Sequence, residues 1–222
     1  MEELQKINII YEDNHLLVVE KPVNIPVCED SSHDLDLLTM LKKYIKDKYN
    51  KPGNVYLGLV HRLDRPVGGV MVFAKTSKAA SRLSKQVQEH KLEKGYYAVV
   101  DGIINSNGEF TDYLYKDSNK NISYVTDKNK GKLSKLEYKV MKIVDNYTLV
   151  RIKLETGRSH QIRVQFSSRG FPLVGDQKYN KNSNQKIPVA LFSYKLSFYH
   201  PISKNKLLFE LKIPKRYPFD LF

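Results

Sequence analysis

The chain has 222 residues, 41% of them hydrophobic and 27% charged, which is ordinary for a globular protein with one substantial core or two small ones. Its 37 basic and 24 acidic side chains give a formal charge of +13. This charge favours RNA or DNA as a partner over an anionic membrane, although a solubilising lysine-rich surface would give the same balance. The single cysteine, Cys28, excludes an internal disulfide and a cysteine-based metal site. No apolar run approaches the roughly 20 residues that span a bilayer, and residues 1–6 carry no secretory pattern, so we expect a soluble cytoplasmic protein.

A hairpin and an amphipathic helix are predicted at the start of the chain. Residues 7–11 and 16–20 are strand-like, and the turn residues 12–14 separate them. Residues 34–49 carry apolar side chains at helical spacing, namely Leu35, Leu38, Leu41, Ile45 and Tyr49. Lys51-Pro52-Gly53 is expected to end this helix.

The segment 61–76 contains charged residues, a turn and a buried strand in that order. His61-Arg62-Leu63-Asp64-Arg65 precedes a Pro/Gly turn, and the unbroken apolar run 70–74 follows. Such a run predicts a strand buried on both faces. Asp64 therefore belongs to a loop at the mouth of a core strand, which is where folds present reactive groups. A helix over 77–90, capped by Thr76 or Ser77, is expected to brace this loop.

Strand patterns dominate the rest of the chain. Residues 94–102 predict a strand in which alternation separates Tyr96 from Tyr97. Residues 103–135 are polar and predict a mobile rim insertion with strands at 110–115 and 121–125. Its alternating lysines and tyrosines suit an RNA-facing ribbon. We expect a hairpin from 136–144 and 147–154, a short helix from Ser159 to Gly170, and a last strand at 207–213.

Several segments, in this order, resemble the motifs of the RluA-type pseudouridine synthases. They are 10–22 (IYEDNHLLVVEKP), 61–64 (HRLD), 94–102 (KGYYAVVDG), 155–164 (ETGRSHQIRV), 171–179 (FPLVGDQKY) and 190–201 (ALFSYKLSFYHP). The order makes the match far more specific than any single motif. The resemblance spans roughly 7–215, with the insertion at 103–135 unmatched.

The chain departs from the family pattern at a few positions. Asn24 stands where a glycine is usual, and asparagine is the next best residue for a positive φ. Gln165 stands where the family has histidine, and Phe192-Ser193 replaces a common His-Ala pair. The small S4-like domain that many relatives carry is not expected here.

The resemblance implies that a uridine within RNA is converted to pseudouridine and that Asp64 is the catalytic residue, as the nucleophile or as an electrostatic partner, acting at C1′ or at C6. It places Arg163 as the cation that keeps Asp64 ionised, with a phosphate contact or a solvated helix arginine as the alternatives. Tyr96 would stack on the target base, although a tyrosine buried in the core would give the same sequence pattern. Base flipping is required, because a stacked base cannot reach Asp64. Arg62 would then fill the vacated space or hold the flanking phosphate.

The remaining assignments have structural alternatives. His61 can assist or serve the fold, and Ile162 and Leu63 would be apolar walls of the site or plain core residues. Arg158, together with Lys21, Arg65 and Lys75, is expected on a rim that contacts phosphates.

The residue patterns that other catalytic mechanisms require are missing from the sequence. No second carboxylate is spaced for two-metal catalysis, and His61 and His160 lack the spacing of a helical zinc pair. No Ser-His-Asp pattern and no glycine-rich phosphate loop is present. A single carboxylate with cationic support suits covalent catalysis by Asp64. We therefore predict no metal and no cofactor.

We predict an α+β fold with a mostly antiparallel mixed sheet, flanking helices and a central RNA-binding cleft, in one catalytic domain over 1–222. The predicted partner is ribosomal or transfer RNA, and the protein is expected to be a monomer. The competing hypotheses are a non-catalytic RNA-binding or ribosome-assembly factor on the same fold, and a metal-dependent nuclease.

Overall fold

The structure, a computed structural model, describes residues 7–30, 32–181, 183 and 187–222. Its first elements are β1 Asn8–Glu12, β2 Leu16–Lys21, α1 Leu37–Lys48, β3 Gly58–Leu59, β4 Gly68–Ala74 and α2 Ser77–Gln88. They are followed by β5 Glu93–Asp101, β6 Gly108–Asp117, β7 Ile122–Thr126, β8 Lys132–Val144, β9 Tyr147–Leu154, α3 Gln161–Ser167, β10 Leu191–Tyr199, β11 Lys206–Glu210 and a 3-10 turn, Phe219–Leu221. The predicted α+β class with a mostly antiparallel sheet is confirmed. In the part of the chain that the structure describes, no helix has the length and apolar character to cross a membrane.

The chain divides into two compact units. The first contains the described residues up to Leu92 and then Lys195–Leu211, and the second contains Glu93–Tyr194 and Lys212–Phe222. Strand β10 begins in the second unit and ends in the first. The single catalytic domain and its central cleft stay predictions.

The first unit is built on the buried strand β4. Every residue of β4 is buried, as the apolar run predicted, and β2 and β3 pair with it antiparallel. Helix α2 packs its apolar face on this sheet, with Ala79 and Leu83 in one core with Leu16, Val18 and Val72. The helix begins where Thr76 Oγ1 accepts a hydrogen bond from the Ala79 N–H, so the predicted cap is confirmed.

Helix α1 is shorter than predicted, and its buried face differs. Asp36 Oδ1 accepts a hydrogen bond from the Thr39 N–H, which fixes the start of the helix at Leu37 instead of residue 34. Its buried face consists of Leu37, Met40, Leu41 and Ile45. The assignment of Leu35 and Tyr49 to that face was wrong, because they lie beyond the helix ends and are exposed.

The second unit is an antiparallel sheet with strand order β5-β9-β8-β6-β7. Helix α3 packs on one face of it, where Phe166 meets Phe110 and Tyr138 with ring centroids 4.9 and 5.4 Å away. The segment predicted as an insertion is an antiparallel ribbon of β6, β7 and the first half of β8. Both of its predicted strands are present, and β8 starts earlier than expected. Its mobility stays a prediction.

Candidate active site

The loop before β4 in the first unit presents Asp64. The Asp64 carbonyl accepts a hydrogen bond from the Val67 N–H at 2.9 Å, which closes a tight turn. Leu63 and Val67 on either side are buried, whereas Asp64 is half-buried. The apolar neighbours thus anchor the loop, and the carboxylate stays within reach of solvent.

Arg65 ties the same loop to the segment that follows β2. Its guanidinium donates to the Asn24 carbonyl at 3.2 Å and to Ser32 Oγ at 3.0 Å, and it pairs with the exposed carboxylate of Asp34. Asn24 has a φ of 64°, so asparagine does take the left-handed position where the family has glycine. The guanidinium of Arg65 is therefore engaged in holding two loops together, although its predicted phosphate contact is untested.

Lys21 lies inside the protein, so its predicted place on a phosphate-binding rim was wrong. Its side chain is 1% exposed, and Nζ donates to the carbonyls of Pro22 and Arg65 at 2.8 and 3.0 Å. Burial lowers the pKa of Lys21 from 10.5 to about 7, while the charge of Asp64 opposes that shift. No sequence pattern indicates this arrangement, because lysine is rarely buried. The amine therefore braces the Asp64 loop, and its protonated form contributes positive potential at the Asp64 carboxylate.

The lowered pKa of Lys21 makes a prediction about stability and pH. The folded protein releases the Lys21 proton near pH 7 and the unfolded chain near pH 10.5. Between these values the unfolded chain binds more protons, so this group makes the free energy of unfolding rise with pH. In Lys21→Met that contribution to the slope should vanish, as measured by urea unfolding from about pH 7 to pH 10. Lys42→Met, at an exposed lysine of α1, serves as the control and should keep the wild-type slope. Equal slopes for all three proteins would contradict the assignment.

Lys75 also lies off the predicted rim. Its ammonium is 2.7 Å from Glu12 Oε1, and the two side chains are 10% and 7% exposed. Burial alone would raise the pKa of Glu12, but hydrogen bonds from Lys48, Lys75, Tyr49 and Tyr44 lower it to about 2. Lys75 thus serves the fold of the first unit.

His61 and Arg62 differ in their environments. His61 is buried, and its Nε2 accepts a hydrogen bond from the Val72 N–H of β4 at 3.2 Å. This contact favours the structural alternative for His61, because it fixes the ring against the strand. Arg62 is exposed and makes no hydrogen bond or ion pair with the residues that the structure describes. Its side chain is thus accessible from solvent.

Tyr96 lies on β5 in the second unit. It pairs in register with Ile152 of β9 and is 6% exposed. Its neighbour Tyr97 points to the opposite face and stacks on Tyr194 with ring centroids 4.1 Å apart. The predicted alternation is confirmed, and it distinguishes Tyr96 from the adjacent tyrosine.

Arg163 is held by a carboxylate to which we had assigned no role. Its Nε and Nη2 donate to the two oxygens of Asp176, each at 2.7 Å. The Arg163 side chain is 5% exposed and that of Asp176 is fully buried. Asp176 Oδ1 also accepts from the N–H groups of Lys178 and Tyr179. The sequence signal was the Gly175-Asp176 pair in the motif at 171–179. The pairing of Arg163 with Asp64 stays a prediction.

The start of α3 is joined to the ribbon through one hydroxyl group. His160 precedes the helix with a φ of 54°, and its Nδ1 lies 2.7 Å from the Tyr179 hydroxyl. That oxygen accepts a hydrogen bond from the Ser123 N–H of β7 at 2.7 Å, and Ser123 Oγ donates to the Ser159 carbonyl. Burial raises the pKa of Tyr179, which therefore keeps its proton at neutral pH. Helix α3, and with it Arg163, is fixed at its first turn.

The other predicted residues of the motif at 155–164 take distinct positions. Ile162 is 4% exposed, whereas Arg158 is exposed and its Nε donates to the Leu133 carbonyl. Gln161, missed from sequence, accepts from the Arg158 N–H and donates to the Lys135 carbonyl, and so fixes this loop. Gln165, in the place of the family histidine, is buried and donates to Asp112 at 2.7 Å. The difference from the family pattern is therefore accommodated within the helix packing.

Within the ranges of the chain that the structure describes, no group of three or more histidine, cysteine, aspartate or glutamate side chains is arranged to hold a metal ion.

Known proteins are similar to this chain in sequence and in fold. The sequence profile described as RNA pseudouridylate synthase matches residues 15–168. The chain is 36% identical to an uncharacterized RNA pseudouridine synthase of Aquifex aeolicus, over 95% of this chain and 71% of that protein. It is 32% identical to ribosomal large subunit pseudouridine synthase D of Zymomonas mobilis, over 94% of this chain and 70% of that protein. The solved structure of human RNA pseudouridylate synthase domain containing 4 has the same fold, with a TM-score of 0.81 over 99% of this chain and 93% of that one, at 23% identity.

The resemblance found in the motifs is thus confirmed over most of the chain. The matched profile includes the Asp64 loop, Tyr96 and Arg163. The chain therefore belongs to the RNA pseudouridylate synthases, a family of RNA-modifying isomerases.

Proposed function

We propose that this protein converts one or more uridines in structured RNA to pseudouridine, with Asp64 as the nucleophile. The observation that supports this most is the Asp64 loop. It is a half-buried carboxylate on a turn whose apolar neighbours are buried, with a buried ammonium adding positive potential. Such a loop holds a reactive group in one orientation while leaving it accessible.

The reaction is an isomerisation in which no atom is gained or lost. The N1–C1′ bond breaks, the base turns, a C5–C1′ bond forms, and the proton that leaves C5 is replaced by one on N1. We assign Asp64 to attack at C1′ or at C6, which are the two positions open to a carboxylate nucleophile. Tyr96 stacks on the base and can take part in the transfer of the C5 proton. Arg62 fills the space that the flipped nucleotide leaves in the RNA.

We propose that the positive charge of Arg163 favours the ionised form of Asp64. The bond to Asp176 would position the Arg163 guanidinium. Ile162 provides an apolar wall, Arg158 contacts phosphate, and His61 fixes the loop. The mechanism that we propose uses no metal and no cofactor.

The proposed substrate is RNA, and ribosomal RNA is favoured over transfer RNA. The formal charge of +13 suits a polyanion, and the Zymomonas relative is named for the large ribosomal subunit. We propose that the protein acts as a cytoplasmic monomer.

The direct test is to incubate the purified protein with in vitro transcripts of large-subunit ribosomal RNA and of transfer RNAs, and to map pseudouridines by mass spectrometry. New pseudouridine at defined positions is the expected result. Binding without modification would instead support a non-catalytic RNA-binding factor. Magnesium-dependent cleavage would support a nuclease.

The ribbon of the second unit gives a separate prediction about RNA binding. Tyr115 on β6 and Tyr124 on β7 are opposite each other in register, and they are 51% and 42% exposed. An exposed aromatic pair of this kind can stack on unpaired bases, each worth about 1–3 kcal/mol. Tyr115→Ala/Tyr124→Ala should therefore weaken RNA affinity about tenfold or more in fluorescence anisotropy. Tyr199→Ala, a 44% exposed tyrosine of β10, is the control. Equal affinity of both variants would exclude the ribbon as a binding surface.

A further inference from the structure

Lys94 is a half-buried lysine of the second unit that the reaction described above does not use. Burial is the cause that lowers the pKa of its amine. Among the described residues, no hydrogen bond or ion pair engages its ammonium. A partly buried charge without a partner costs free energy. A group whose pKa is perturbed by burial is therefore a candidate for a functional site.

The strand register fixes the side of the sheet on which Lys94 lies. Lys94 and Tyr96 are two residues apart on β5 and pair with Leu154 and Ile152 of β9, so both side chains are on one face. Ile152 is also in register with Tyr138, whose ring contacts Phe166 of α3. Lys94 is therefore on the face that carries Tyr96 and that α3 covers.

The Lys94 amine lies next to the exposed backbone of Gly157. A β-carbon on this glycine would lie 3.3 Å from Lys94 Nζ, and no other described heavy atom outside the neighbouring residues comes within 4 Å of that position. Gly157 has no positive φ that would require glycine. The missing side chain at Gly157 thus leaves the side of the amine that faces this exposed residue uncrowded.

From these observations we infer that Lys94 binds a phosphate group of the substrate RNA next to the target nucleotide, approached over the bare face of Gly157. This inference rests on the proposed function and adds a binding residue to it. A lysine ammonium is a compact charge that suits a single phosphate. Its position on the Tyr96 face would fix the backbone of the nucleotide whose base stacks on that tyrosine.

The test compares Lys94→Met, Lys94→Arg and Gly157→Ala with wild-type protein. Affinity for a fluorescein-labelled oligouridylate is measured at several salt concentrations, and kcat and KM are measured on a transcript that the wild-type protein modifies. Lys94→Met should lose about tenfold in affinity and flatten the log–log salt slope by about 0.7, the contribution of one phosphate on a single strand. KM should rise while kcat changes little. Lys94→Arg should keep the wild-type salt slope.

Gly157→Ala tests the approach of the ligand without removing the charge. The added methyl group would lie 3.3 Å from Nζ and crowd a phosphate on that side of the amine, so affinity should fall with the fold intact. Lys139→Met, at an exposed lysine of β8, is the control for loss of one positive charge and should change the slope little.

Failure of the proposed function and failure of the phosphate site give different results. A wild-type protein that neither binds nor modifies RNA would contradict the proposed function. A wild-type protein that does both, with Lys94→Met showing the same affinity and salt slope, would overturn only the phosphate site. A lower melting temperature without a change in slope would likewise assign Lys94 to the fold and overturn the inference.

Discussion

Asp64→Asn should reduce pseudouridine formation below about a thousandth of the wild-type rate, the scale expected when a nucleophile is removed. Asparagine has nearly the same shape but neither the charge nor the nucleophilic oxygen. The fold should persist, because the turn depends on the Asp64 backbone carbonyl and on buried Leu63 and Val67, which the substitution leaves in place. RNA affinity should stay within about threefold, because phosphate contacts supply most of it. Pseudouridine is measured in a single-turnover assay, and affinity by anisotropy.

Asp34→Asn is the matched control for Asp64→Asn. It also removes one carboxylate, here an exposed one that pairs with Arg65 on the same loop. Because an exposed ion pair is worth about 1 kcal/mol or less, this variant should retain most of its activity. Near-normal turnover by Asp64→Asn would refute the nucleophile assignment, whereas loss of activity in both variants would point to loop integrity.

Asp176→Asn should destabilise the protein by about 3–5 kcal/mol, because it leaves the buried Arg163 guanidinium without its bidentate carboxylate. Urea unfolding measures this change. Glu137→Gln, in the exposed Glu137–Lys153 pair, is the control and should cost about 1 kcal/mol or less. A loss for Asp176→Asn as small as that of the control would show that the buried pair contributes little to stability.

A double variant separates the contribution of the Arg163–Asp176 pair to stability from its contribution to catalysis. Arg163→Met/Asp176→Leu replaces both charges by apolar side chains, and exchanges of this kind in buried pairs are often neutral or stabilising. Its stability should therefore exceed that of Asp176→Asn, while its turnover should remain far below wild type because Arg163 is absent. A stable and active double variant would reduce Arg163 to a structural residue.

Local patterns predicted most of the elements, and the errors lie at the starts of two of them. Strand β4 was recognised because all its residues are apolar, and α2 because Thr76 caps it. The start of β8 was missed because Lys132–Lys135 carries mostly exposed polar side chains, which resemble a loop in sequence. Apolar spacing predicted a helix from residue 34, and only the structure identifies Asp36 as the residue that caps α1.

The motifs identify Asp64, Tyr96 and Arg163 as candidate site residues, and their roles stay predictions. Contacts between distant segments, in contrast, are not visible in the sequence. The bond from Arg163 to Asp176 joins residues 13 apart, and that from Lys21 to Arg65 joins residues 44 apart. Neither separation follows from the repeat of a helix or a strand, so local sequence patterns do not predict these contacts. Burial of Lys21 also runs against the general preference of lysine for solvent.

The shared hydroxyl group of Tyr179 has a mechanical consequence. One oxygen atom links β7 through Ser123 and the first turn of α3 through His160. A displacement of β7 away from the first turn of α3 must therefore break the hydrogen bond from Ser123 or the contact with His160.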